Sequence, residues 1–166
     1  MGWVDGTASA TASGATDLDA VLALTPAAAA FRRYRDAVWS DVAADPLLLE
    51  LCRLRMAQLL GRDATTLPRH PEATTAGLTD DHVRALAGWP SDPRFTERHR
   101  AALAFAEQWL LDPHATTDDD CARLRAHLTD AECAAFTMGL AVVEAVLRLE
   151  AVLDAVEHTM VPDRQG

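Results

Sequence analysis

Two carboxylates, one imidazole and four guanidiniums fall within the stretch from Pro46 to Pro71, PLLLELCRLRMAQLLGRDATTLPRHP. Glu50 can serve as a general acid or base if burial raises its pKa toward the range that proton transfer near neutral pH demands. The other reading of the same residue is a structural ion pair, with Arg53 or with an arginine of another helix. His70 stands in a proline-bounded turn within reach of the end of Glu50's helix, where an imidazole near a carboxylate suits a proton shuttle. An exposed loop histidine is its plainer alternative. Arg62 and Arg69 are permanent cations that either hold a substrate carboxylate bidentately or pair with the protein's own acids. Glu144 and Arg148, four apart near the C-terminus, read as an i,i+4 ion pair on the solvent side of a helix.

The remaining reactive side chains offer less. Cys52 lies about 200° around the helix from Glu50 and has no neighbouring thiol or helix N-terminus to activate it, which predicts an inert core thiol. Cys52, Cys121 and Cys133 are odd in number and widely spaced, against a disulfide framework. His82, His99, His114 and His127 show no metal-ligand spacing, so neither a metal nor a cofactor is expected.

The elements that must hold these groups read as helices throughout. Pro46 after Asp45 predicts a helix start and Gly61 its end. Between them Glu50 and Arg53 lie to one side, Arg55 and Gln58 to another, with Leu47, Leu51 and Leu54 between, leaving no clean solvent face. A helix wrapped in this way must pair its polar groups or point them into a cavity. Residues 1–16 are small and polar and predict a mobile tail, 17–160 form one domain, and 161–166 are a C-terminal tail. A short helix is expected from Asp17 to Leu24, and a longer one from Thr25-Pro26 to about Ala43, with Phe31, Tyr34, Val38 and Trp39 at helical spacing. Pro68 and Pro71 break periodicity into a polar turn. Thr79, Thr96, Thr117 and Thr129 cap further helices ending near Gly88, Leu111, Leu128 and Glu157, the last opened by a Thr129/Glu132 capping box. No strand or repeat is evident, and the expectation is an all-α, single-domain bundle of six to eight helices.

The run Glu50-Leu-Cys-Arg-Leu-Arg-Met-Ala-Gln-Leu-Leu-Gly61, with Trp89-Pro-Ser-Asp-Pro-Arg-Phe-Thr-Glu-Arg and Ala101-Ala-Leu-Ala-Phe-Ala-Glu107, resembles the carboxymuconolactone decarboxylase and alkylhydroperoxidase-D-like family over roughly residues 30–157. Redox-active members carry Cys-x-x-Cys-x-x-x-His directly after the glycine, with a relay glutamate twelve positions before the first cysteine. Glu50 stands at that glutamate position, since 62 − 50 = 12. Arg62 and Thr65 replace the two cysteines, Arg69 replaces the histidine, and His70 is one residue out of step. The resemblance therefore implies the alkylhydroperoxidase-D-like fold more than its peroxidase chemistry. It also implies a homo-oligomer, makes Arg62, Thr65 and Arg69 candidates for substrate binding, and allows Glu144 and Arg148 to be a buried pair lining the pocket.

Composition bounds the partners. A net charge of −10 opposes nucleic acid and anionic membranes. All fifteen basic residues are arginine, which with the abundant alanine reads as coding bias in a GC-rich bacterium. No signal-peptide pattern or membrane-length apolar run is present, so a soluble cytoplasmic protein is expected.

Three functions follow. The first is a cofactor-independent lyase, decarboxylase or isomerase acting on a small molecule by proton transfer, with Glu50 and His70 catalytic and an arginine binding the anion. The second is a thiol-dependent hydroperoxide reductase, which lacks neighbouring sulfurs. The third is a non-catalytic ligand-binding or assembly protein. An open cavity where Glu50, His70 and an arginine converge would favour the first, and a Glu50 locked in an ion pair would favour the third.

Overall fold

A computed structural model describes residue 18 and residues 23–41 and 43–160, with side chains to 155. Tail residues 1–16 and 161–166 lie outside the described residues, as does most of the expected Asp17–Leu24 helix. Among the described residues there are seven α-helices and two 3₁₀ turns, and no strand. These are α1 (Ala28–Ser40), α2 (Pro46–Leu59), α3 (Pro71–Thr75), α4 (Asp80–Ala85), α5 (Glu97–Leu111), α6 (Asp118–Arg125) and α7 (Asp130–Met160), with the 3₁₀ turns at Leu86–Gly88 and Pro113–Ala115.

Local chemistry sets the ends of α2. The Asp45 carboxylate accepts from the Leu48 amide and Pro46 fills the first turn, where no N–H is needed. At the other end Gly61 takes φ +82°. Its amide donates to Gln58 O (3.0 Å), and the Arg62 amide donates to Ala57 O (2.9 Å). That paired closure satisfies two orphan carbonyls and requires a residue that tolerates a left-handed backbone. The turn after it holds a helix that the prolines had suggested was absent. Pro71 starts α3 at its first position, and Gly77 (φ +104°) ends it with the same paired closure.

The chain divides into two compact units, with boundaries inside α1 and α7. Residues 36–144 form the larger unit, organised on α2, which packs against α3, α4, the Leu86–Gly88 turn and α5. Leu48, Leu49, Leu51, Leu54 and Met56 of α2 are buried, joined by Leu86, Phe95, Leu103 and Leu140. Gly139 of α7 lies against the Leu49 methyls and Val38 of α1. In the other unit, which comprises residues up to Arg35 and from Ala145, the buried side chains include Leu18, Ala28 and Leu147. Tyr34, placed by its spacing on the apolar face of α1, is 44% exposed, whereas Val38 and Trp39 are buried. Among the described residues no helix is long and apolar enough to cross a membrane.

Candidate functional site

α2 carries Glu50 into the core, where it has no exposed surface. One turn on, Arg53 meets it bidentately: Nε–H donates to Oε2 and an Nη2 hydrogen to Oε1, both at 2.7 Å. Oε1 also accepts the backbone N–H of His70 at 3.2 Å, and Arg53 Nη2 donates to Pro68 O at 2.7 Å. The carboxylate and guanidinium thus form a bracket that ties the 68–70 turn to α2. Such a fork places two charge-assisted bonds in one plane, the arrangement that best compensates a buried carboxylate.

His70 follows from that bracket. Its ring stacks on Trp39, with centroids 3.9 Å apart and planes 9° from parallel. Nδ1 is buried and has no hydrogen-bond partner. Burial holds the imidazole's pKa below the ordinary histidine value. The charges of Glu50, Glu72 and Asp36 oppose the shift and that of Arg53 adds to it.

The other candidates from this stretch are arranged around the backbone. Arg69 donates to the carbonyls of Ala64 (3.1 Å), Thr65 (3.2 Å) and Leu67, and its Nη2 lies 3.8 Å from Asp80 Oδ1. Its guanidinium therefore braces the 64–67 turn. Thr65 is exposed, and its hydroxyl and amide donate to Asp63 Oδ1 at 2.7 and 2.9 Å. Those two bonds hold the Asp63 carboxyl below its usual pKa. Arg62 is half-buried and its amide closes α2. Glu144 accepts from Trp109 Nε1 at 2.8 Å, away from the Glu50 bracket, and Arg148 is exposed in the other unit. Cys52 is buried and its thiol is pushed far above the usual range, first by burial and then by the charges of Asp45 and Glu107. Among the described residues no three His, Cys, Asp or Glu side chains are grouped to hold a metal ion.

Two features escaped the sequence reading. Glu107 on α5 makes a second polar centre on the other side of α2: Oε1 accepts from Arg55 Nε at 2.5 Å and from Trp89 Nε1 at 2.8 Å. Arg55 also donates to Gln58 at 3.1 Å. The signal was half visible, because Arg55 and Gln58 had already marked a second polar side of the helix. Trp39 was read only as an apolar position of α1, and nothing local pairs it with a histidine 31 residues on.

Residues 25–108, about half the chain, match the model of the Carboxymuconolactone decarboxylase family. The chain belongs to the carboxymuconolactone decarboxylase family. The matched segment spans α2, the Glu50 bracket and Glu107. A crystal structure of a protein of unknown function from Agrobacterium tumefaciens, provisionally described as the antioxidant defence protein AhpD, superposes with a TM-score of 0.64. The alignment covers 87% of this chain and 97% of that one at 20% identity, so the likeness is one of fold. No curated protein matches the chain significantly. This carboxymuconolactone decarboxylase family member therefore has an all-helical, AhpD-like fold.

Proposed function

We propose that this family member is a non-catalytic small-molecule binding protein, built on a fold whose reactive centre has become a structural brace. One observation carries the reading: both Glu50 oxygens accept from Arg53, one accepts also from the His70 amide, and the carboxylate has no exposed surface. A general acid or base must reach its substrate within hydrogen-bond distance, and Glu50 already has three donors around it. Arg69, the proposed anion clamp, directs its two Nη groups at the turn's own carbonyls, and its Nε–H is buried with no acceptor. A second copy of the chain is the partner we expect, given its family.

The test is a thermal-shift screen of small organic acids, lactones and hydroperoxides, with every stabilising compound followed for turnover by mass spectrometry. Binding without conversion is the expected result. Conversion of any stabilising compound at a rate proportional to protein concentration would overturn the reading.

His70 supports a second reading, a cofactor-independent lyase or isomerase with the imidazole as proton carrier. Its buried Nδ1 has no partner, and burial favours the neutral ring that a base requires. On this reading Glu50 and Arg53 position His70 through its backbone. Turnover that survives Glu50→Gln and is lost in His70→Gln would establish it. The thiol peroxidase alternative gains nothing from Cys52, whose burial disfavours the thiolate that disulfide exchange needs.

A further inference from the structure

α5 and α6 line an open cleft of about 320 Å³, well away in sequence from the Glu50 bracket. Small side chains create it: Ala101 and Ala104 on α5 and Ala126 after α6 leave space that larger residues would fill. The rings of Trp89 and Phe105 also line it, so its apolar surface suits a flat hydrocarbon body. The volume is near the lower end for small-molecule sites and holds about 10–15 non-hydrogen atoms.

Charged groups from both helices complete the lining, Arg100 and Arg123 together with the carboxylates Glu97 and Asp120. Arg100 is only 25% exposed. It donates to Glu97 Oε1 at 2.5 Å and to Asp92 O at 3.0 Å, while its Nε–H is buried with no acceptor. Arg123 of α6 pairs with Asp120 and is otherwise 68% exposed. His127 stands beside them. Each arginine's carboxylate partner lies three residues earlier on its own helix, and that of Arg100, Glu97, is itself 75% exposed. Exposed pairs of this kind are weak, so an incoming carboxylate can displace Glu97 into water and take its place on Arg100.

We infer that the α5–α6 cleft binds a small aromatic carboxylate, its ring against Trp89 and Phe105 over the alanine floor and its carboxylate on Arg100, with Arg123 as the second cation. The assignment rests on the ligand-binding reading above and adds the site and the ligand's chemical class.

Titrating the full chain with benzoate and with its neutral isostere benzamide tests it, using calorimetry and ¹H–¹⁵N amide spectra. Benzoate is expected to bind about tenfold tighter than benzamide, with shifts concentrated at Ala101, Ala104 and Arg123. Arg123→Gln and Arg100→Gln should each weaken benzoate several-fold and leave benzamide unchanged, and Ala104→Phe should abolish binding of both. Arg100 also ties down Asp92, so Arg123→Gln, at an exposed position, carries the test if Arg100→Gln fails to fold. Equal affinity for the two probes, or benzoate binding indifferent to both arginines, overturns the inference. So does the absence of binding at millimolar benzoate in a folded protein. Benzoate shifts confined to Trp39 and His70 also overturn the cleft but leave the binding reading intact. Binding in the cleft together with turnover of another compound at His70 supports the cleft while removing that reading.

Discussion

At Glu50 two guanidinium nitrogens and one backbone amide converge on a fully buried carboxylate, so deleting the carboxylate leaves Arg53, 17% exposed, without its partner. Glu50→Ala should destabilise the protein by about 3 kcal/mol, and Glu50→Ala/Arg53→Ala by less than the sum of the two single changes. Urea unfolding of the three variants measures both, and additive losses would mean that the bracket is not a coupled unit. His70 gives a spectroscopic handle on the same site. Its ring should titrate below the ordinary histidine value, because burial against Trp39 opposes the imidazolium. Trp39→Ala opens that surface and should move the titration upward, which NMR of the imidazole protons follows. An unchanged midpoint would assign the shift to Arg53, whose charge also lowers it.

Helix ends and helix crossings carry the next set of consequences. A methyl group added at Gly61 would point into open space, so Gly61→Ala meets no clash, only the left-handed backbone at φ +82°. A loss of about 1 kcal/mol is expected. Gly139→Ala differs in cause: the new methyl would sit 2.9 Å from both Leu49 methyls and 3.3 Å from Val38, an overpacked crossing of α7 on α2 and α1 that costs about 1–3 kcal/mol. Restoring space with Leu49→Ala should recover part of the second loss and none of the first. α5 adds a pH dependence. The Thr96 cap uses His99 Nδ1 as an acceptor for the Thr96 amide, 3.4 Å away, which requires an unprotonated nitrogen. Burial lowers the His99 pKa; Asp45 opposes that shift, and His82 and Arg98 add to it. The contribution is therefore fully present above the unfolded-state value near 6.5 and is lost as pH falls through the lower folded value. His99→Gln keeps an acceptor at the cap and should flatten the fall in urea midpoint between about pH 7 and pH 5. An equal slope in the variant would assign the acid sensitivity to other groups.

For the molecule as a whole, Leu111 (65% exposed) and Met138 (51% exposed) are large apolar side chains left in contact with solvent. A homo-oligomer is the expected solution state, and light scattering that gives only monomer mass would remove it. The all-helical class and most helix boundaries were legible in the sequence, because caps act within three or four residues: Asp45 with Pro46, Thr79, Thr96, Thr117 and Thr129 with Glu132, and Gly61. The wrapped character of α2 was legible too, since polar residues on two sides of an apolar helix leave it no solvent face. The family resemblance could be read from residues 50–61 and 89–107, which lie inside the matched segment 25–108. What the sequence left open was the partner of each polar group. That the donors to Glu50 are Arg53 and the His70 amide became visible only in the fold. That Arg69 meets the carbonyls of its own turn was equally invisible in the spacing. Arg55 and Glu107 are 52 residues apart and Trp39 and His70 are 31 apart, so these contacts depend on how helices cross. Periodicity and capping fix each helix by short-range geometry. Which donor meets which acceptor is decided only when packing brings distant helices within hydrogen-bond distance.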